Sequence, residues 1–295
     1  MTNDRTVLVT GASGTLGSAV LPRLIDQGYD VRPMSRRARP GWVTADLATG
    51  AGLREAVRGV DAIVHLASAL AKARQTDVAG TRRLLDAAKA EGVRHVLYVS
   101  INGIDRVPLG YYRAKLATEE VVKASGIPFT ILRAAQFYNL VGMVLGVSGK
   151  LGPLIIDPKF LVQPVSIEDV GDRIAELLAQ ARRERPDAAE PALGGSSPPA
   201  VAEPPRSAGG ASNRTADGER AAHAAIGATI EYAGPQVLSF DELGRALLTA
   251  RRSRRPIWPI RIPGKTARAL RAGALTTKAV PTGTRTWADY LAERY

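Results

Sequence analysis

The chain contains no cysteine, which excludes disulfides, thiolate catalysis and cysteine-ligated metals and points to a reducing compartment. Its three histidines are scattered: His65 and His95 fall inside apolar strand patterns and His223 in a low-complexity stretch, so no metal site is expected. No apolar run reaches the roughly 18 residues that a transmembrane helix needs. The opening MTNDRTVLVTG enters a strand at once, without a basic segment ahead of a long apolar core. No signal peptide and a cytoplasmic location are therefore expected, with no membrane partner. What the chain does have is an apolar content of 45%, enough for a sizeable core, and a net charge of +12. Much of that excess lies in Arg251, Arg252, Arg254, Arg255, Arg261, Lys265, Arg268 and Arg271, interleaved with Pro256, Pro259 and Pro263. This segment carries no groove-reading motif. It reads as a solvated basic face able to attract anionic substrates, and no nucleic-acid partner is expected.

The most informative stretch is VLVTGASGTLG, Val7 to Gly17. Val7, Leu8 and Val9 form the continuous apolar run of a parallel strand buried on both faces. Gly11, Gly14 and Gly17 follow at three-residue spacing. The first permits a tight turn, the second lets backbone approach a pyrophosphate, and the third lets helix pack on strand. A helix starting near Thr15 aims its free N–H groups and positive dipole end at the anion. Ser13, Thr15 and Leu16 complete this expected phosphate cradle, and Leu16, Val20, Leu21, Leu24 and Ile25 give the helix its apolar face.

Strand and helix patterns alternate through the first 135 residues, which predicts a parallel sheet with right-handed crossovers. Strands are expected at Asp30–Met34, Gly41–Ala45, Ala62–Ser68, His95–Ser100 and Pro128–Ala134. Helices are expected at Leu53–Val60, from about Asp77 to Glu91 with Gly92 stopping it, and over Tyr111–Ser125. Further on, Ser166 with Asp169 and Ser239 with Glu242 have capping spacing, and a closing helix is expected around Trp287–Leu291. Residues 183–226 are dense in Ala, Pro, Gly and Ser and poor in large apolar side chains, so they read as a disordered insertion with ends close together, dispensable for cofactor binding and open to protease at Arg206, Arg214 or Arg220. Three regions follow: a dinucleotide-binding domain over 1–182, the insertion over 183–226, and a small C-terminal α/β substrate cap over 227–295.

Two constellations carry chemistry. The corner after the second strand reads Met34-Ser35-Arg36-Arg37. It offers no carboxylate for a ribose 2′-hydroxyl and two guanidiniums that match a 2′-phosphate in charge and fork geometry, so NADP(H) is expected over NAD(H). Asp46 and Leu47 should sit near the adenine, and Ala67 and Ser68 beside the ribose and nicotinamide. The second constellation is Tyr111-Tyr112-Arg113-Ala114-Lys115, which puts Tyr111 and Lys115 on one helix face. A neighbouring ammonium favours the phenolate and would lower the tyrosine pKa, and the lysine can also hold the nicotinamide ribose.

TGASGTLG, the Asp46-Leu47 pair, HLAS, VAGTRRLLDAAKAEGVRHVLYVS and YYRAK resemble, in order and spacing, the short-chain dehydrogenase/reductase superfamily. The likeness is greatest to its atypical NAD(P)H-binding branch with the NmrA-like proteins, and covers residues 5–182 well and 229–295 as the branch's small cap. It implies a Rossmann-type doubly wound fold and NADP(H) binding, with Tyr111 as acid/base and Lys115 as its helper. The superfamily's catalytic Ser or Thr stands well over ten residues before the tyrosine, whereas Ser100 lies eleven before Tyr111. Ser100 and Asn102 are the candidates to orient a carbonyl. The leading expectation is a reductase of a small hydrophobic carbonyl, enone or quinone, with Gln136, Phe137 and Tyr138 facing the nicotinamide. The alternatives are a non-catalytic NADP(H) sensor of NmrA-like type, or a nucleotide-sugar epimerase or dehydratase. The resemblance leaves monomer and homodimer open.

Overall fold

A computed structural model describes residues 5–69, 74–148, 152–185 and 225–295. Seven parallel strands form one sheet: β1 (Thr6–Thr10), β2 (Asp30–Ser35), β3 (Val43–Thr44), β4 (Ala62–His65), β5 (His95–Ile101), β6 (Phe129–Ala134) and β9 (Ala228–Tyr232), in spatial order β3-β2-β1-β4-β5-β6-β9. The chain moves outward from β1 to one edge, then returns to β4 and builds the other half. That reversal opens a crevice beyond the carboxyl ends of β1 and β4, where doubly wound sheets of this Rossmann type bind their ligands.

The strands are apolar on both sides because both sides are covered. Val7 and Val9 of β1 point to one core with Val64, Leu97 and Leu132, whereas Leu8 points to the other with Ile63, Val96 and Ile131. The first core is closed by α1 (Thr15–Asp26) and α6 (Ile167–Glu184), which pack through Val20, Leu24, Ile174 and Leu178. The second is closed by α2 (Leu53–Val57), α3 (Gly80–Ala90) and α4 (Gly110–Lys123), through Leu53, Leu84, Leu85 and Val122. Burying a side chain such as Leu8 or Ile63 contributes about 1.5–3 kcal/mol.

A third core holds a smaller C-terminal layer. It joins α5 (Tyr138–Ser148), β7 (Leu154–Ile156), β8 (Leu161–Val162), β10 (Leu238–Ser239), α7 (Phe240–Ala250), β11 (Ile257–Pro259), α8 (Lys265–Arg271) and α9 (Trp287–Ala292). Tyr138, Val141, Leu145, Leu243, Leu247 and Trp287 fill its interior. Two short ribbons edge it, β10 antiparallel to β8 and β11 parallel to β7. The caps read from the sequence form: Asp169 N–H donates to Ser166 Oγ at 2.9 Å, and Ser239 with Glu242 makes a reciprocal capping box.

Several boundaries differ from expectation. β3 shrinks to two residues, because Gly41 turns at φ +73° and Asp46 N–H donates back to Ala51. β4 ends at His65, and the chain from Leu66 leaves the sheet to edge the crevice. The helix expected from Asp77 begins as a π-helical turn, Arg74–Ala79, before α3.

The expected insertion is also too wide at both ends. Arg185 is buried and pairs with Asp61 at 2.8 Å, while Glu184 accepts from the N–H groups of Ala225 and Ile226 at 2.9 and 3.1 Å. Ala225 is fully buried. Residues 183–185 and 225–226 are therefore built into the fold, and their two stubs are clasped together. Residues 186–224, with His223 and the protease sites at Arg206, Arg214 and Arg220, lie outside the described residues. The seventh strand comes from the region expected to be purely cap, since Ala228–Tyr232 pairs with β6.

Candidate cofactor and substrate cleft

The turn after β1 is shaped by exclusion. Gly11 has φ +67°, and a Cβ there would stand 2.7 Å from the Ala67 nitrogen. A Cβ at Gly17 would stand 2.6 Å from the Ala12 Cα and nearer still to the Gly11 carbonyl oxygen. No side chain fits at either place, so backbone meets backbone. Gly14 is the N-cap of α1, with no side chain to satisfy the first helical N–H groups and no acid in the first turn. Ser13, Gly14 and Thr15 are exposed above a buried Leu16. These unsatisfied donors at a positive helix end fit a diphosphate.

Thr10, His65 and Thr81 brace the turn from below. Thr10 Oγ1 accepts from Ala67 N–H at 3.2 Å and meets His65 Nδ1 at 2.6 Å, and His65 Nε2 meets Thr81 Oγ1 at 2.8 Å. Burial, helped by the Lys115 charge, pulls the His65 pKa down to about 3, so the ring is neutral and its two nitrogens play opposite roles. Thr10 and Thr81 carry no signature in the sequence; only their placement beside His65 gives them this role.

From that turn a cleft of about 830 Å³ runs along the carboxyl ends of β1, β5 and β6. Gly11, Gly14, Thr15, Leu16 and Gly17 line one end. Leu109, Tyr111, Tyr112, Phe137, Leu140 and Met143 line the other, with Lys115, Ser100 and Gln136 in the wall. Leu140 and Met143 on α5 are 42% and 58% exposed, so the mouth is an apolar lip. Gln136 is the cleft's most unusual polar group, because both of its amide atoms are buried without a hydrogen-bond partner. Burial raises the pKa of the neighbouring Tyr112, and Gln136 opposes that rise without hydrogen-bond geometry. Ser100 Oγ is likewise buried and unpartnered. Orphaned polar atoms in an apolar wall are costly unless a ligand completes them.

Tyr111 and Lys115 do share α4, yet the structure pairs neither with the other. Lys115 Nζ donates to the Val99 carbonyl at 2.9 Å and lies 4.4 Å above the Tyr98 ring. Burial pulls its pKa down to about 8, against the opposing fields of Asp77 and Glu119. The Tyr111 hydroxyl instead meets Ser68 Oγ at 2.8 Å, and Ser68 donates to Asp77 Oδ2 at 2.6 Å. Burial raises the Tyr111 pKa, Ser68 opposes that and Asp77 adds to it. The lowering of the phenol pKa expected from the lysine is thus corrected: desolvation and a carboxylate win. α4 itself is fixed by buried Glu119, which takes Arg133 Nε and Nη2 of β6 at 2.9 and 2.7 Å.

Asp77, expected from the sequence only as a helix start, also holds Ser68 and the Ala69 N–H. Its only signal is that it is the sole acid between Asp61 and Asp86, and its partners arrive from a loop and another helix. Asn102, fully buried, holds Arg106 and the Leu275 carbonyl and thus serves the C-terminal layer. Tyr138 is also corrected, being buried with its hydroxyl donated to the Arg285 carbonyl. Arg36 and Arg37 are exposed just beyond β2, which the register sets beside β1. Asp46 is tied to its own turn through Ala48 N–H at 2.8 Å, and buried Leu47 packs on Gly80.

The C-terminal layer extends the likeness to solved structures over the whole chain. An NADPH-dependent quinone oxidoreductase from Escherichia coli, solved with NADPH, superposes with a TM-score of 0.72 at 18% identity, covering 97% of this chain and 99% of that one. This is a likeness of fold. Among curated proteins, a photosystem II assembly factor Ycf39 from Cyanophora paradoxa is 33% identical over 153 residues, 46% of this chain and 47% of the relative. A ceramide reductase from Caulobacter vibrioides is 31% identical over 148 residues, 45% of this chain and 46% of the relative. The chain spans about half the length of the curated relatives it matches. The family model for NAD(P)H-binding proteins matches residues 11–181, which include the glycine turn, β4, α4 and the cleft wall, and the chain belongs to that NAD(P)H-binding family.

Proposed function

We propose that the protein is an NADPH-dependent reductase of a small, largely apolar carbonyl, enone or quinone. The observation that carries this reading is the Tyr111 hydroxyl, protonated and set in the wall of an apolar cleft that opens onto the glycine turn. The cofactor supplies the hydride and this chain supplies the proton. A phenol whose pKa is raised by burial stays protonated at neutral pH; it is a weaker acid than a free phenol, yet it can still donate to an oxygen that becomes strongly basic as it is reduced. Ser68 accepts from Tyr111 while donating to Asp77. When Tyr111 gives up its proton, Ser68 turns to donate to the phenolate. Lys115 is the cation nearest this wall, and its ammonium suits a ribose hydroxyl better than the phenol.

Preference for the 2′-phosphorylated cofactor rests on Arg36 and Arg37, exposed beyond β2 with no carboxylate among the neighbouring residues 34–40 to compete. The test is NADPH oxidation against a panel of carbonyls, enones and quinones, with Tyr111→Phe as the control. Turnover with any member that the variant abolishes supports the reading, and unchanged turnover removes Tyr111 from it. A second reading is a dinucleotide sensor, favoured by the missing Tyr111–Lys115 pairing. Calorimetry separates the two: binding that differs between oxidised and reduced cofactor, with no turnover on the panel, favours the sensor.

A further inference from the structure

We propose that the outer face of the β7–β11 ribbon docks the protein on an anionic membrane surface. The parallel register puts Trp258 beside Ile155 and Ile257 beside Leu154. Ile260 N–H donates to the Ile156 carbonyl at 2.9 Å, carrying the extended chain onward. The inner row is accounted for, because Leu154, Ile156 and Ile257 approach Gly244 of α7. The outer row is not. Ile155, Trp258, Ile260 and Ile262 are 43%, 56%, 44% and 38% exposed, where a half-buried ribbon should alternate to polar residues.

Charge identifies the occupant. Between Glu242 and Asp289 the chain carries eleven Arg and Lys and no Asp or Glu. The 40 basic residues less these eleven leave 29 against 28 acids, so this one segment holds nearly all of the net charge. Arg254, Arg261, Lys265 and Arg268 flank the apolar row along the chain, all exposed, and none forms an ion pair with a carboxylate among the described residues. A second copy would bring the same positive charge to the contact and be repelled. A nucleic acid would leave the isoleucines idle, having only one ring on which to stack a base. A leaflet of anionic headgroups over acyl chains satisfies both features at once: cations meet phosphates, and Trp258 and the isoleucines enter the interface. No helix among the described residues is long and apolar enough to cross a membrane, so the contact is peripheral.

The test uses the full chain with vesicles of phosphatidylcholine alone or mixed with phosphatidylglycerol. Flotation with the anionic vesicles, falling steeply with added salt, is expected. Brominated acyl chains should quench tryptophan fluorescence, and the quenching should vanish in Trp258→Phe, because Trp287 is buried and Trp42 lies against Arg39. Trp258→Ala with Ile260→Ser, and separately Arg261→Glu with Lys265→Glu, should each weaken partitioning about tenfold or more. Unchanged NADPH affinity and melting temperature in these variants show that the fold is kept. Absence of flotation at low salt overturns the proposal. So does flotation that both double variants retain, or equal binding to neutral vesicles. Binding to duplex DNA tighter than to the anionic vesicles overturns it in favour of a nucleic-acid face.

Discussion

The Tyr111 hydroxyl is hydrogen-bonded to Ser68 Oγ at 2.8 Å, and that single contact decides which way the tyrosine can work. Ser68 gives its own proton to Asp77 and so must accept from the phenol. The phenol is therefore the donor in this contact and Ser68 the acceptor.

Removing the donor should cost most. Tyr111→Phe is expected to lower kcat for a reducible substrate about 10²–10⁴-fold with little change in NADPH affinity. Asp77→Asn, which keeps shape but removes the charge, should lower kcat about tenfold and shift the alkaline limb of the pH–rate profile downward, because Asp77 helps to raise the Tyr111 pKa. A loss in Asp77→Asn that appears only in KM would show that the network positions the loop and does not tune the proton donor.

Cofactor choice should follow the two arginines. Arg36→Ala with Arg37→Ala is expected to weaken NADPH roughly tenfold to hundredfold, since one charge-assisted contact is worth about 1.5–3 kcal/mol, and to leave NADH nearly unchanged. Calorimetric titration of both cofactors checks this, and equal losses would sink the assignment.

The glycine turn should tolerate no side chain. Gly17→Ala places a methyl group against the Gly11 carbonyl and Ala12 Cα, both backbone, so one element must move. A stability loss of about 1–3 kcal/mol in urea unfolding is expected, together with a large loss of dinucleotide affinity. Full binding in this variant would show that α1 can back away from β1.

Acid should unfold the protein through its two core histidines. Burial first, with the Lys115 charge for His65, pulls that ring down to about 3; burial first, then Arg185, pulls His95 down to about 4. Their folded pKa values lie below the unfolded value near 6.5, so the unfolded chain binds protons first as pH falls. Their contribution is whole above pH 6.5 and is lost between there and about 3 to 4. Near pH 5 each should cost on the order of 2 kcal/mol relative to neutral pH, read from urea midpoints. His95→Gln should flatten part of that slope.

The alternation of apolar strands with amphipathic helices is enough to specify a doubly wound sheet, because each strand must be covered on both sides and each crossover has one hand. The Gly11, Gly14 and Gly17 spacing locates the anion end, because only glycine permits those backbone approaches. Local chemistry also settles the caps at Ser166, Ser239 and the stop at Gly92, each of which depends on residues within a turn. Distant contacts decide the rest. Tyr111 and Lys115 lie four apart on α4, so sequence spacing pairs them. The structure gives the lysine to Val99 of β5 and the tyrosine to Ser68, which comes from the loop after β4. Asp77 enters from a third element, and Ala228–Tyr232 crosses from the expected cap to finish the sheet. Burial then sets the sign of the pKa shifts, and burial belongs to no short stretch of chain. Helical spacing fixes which side chains share a face; only packing against other elements decides which of them meet.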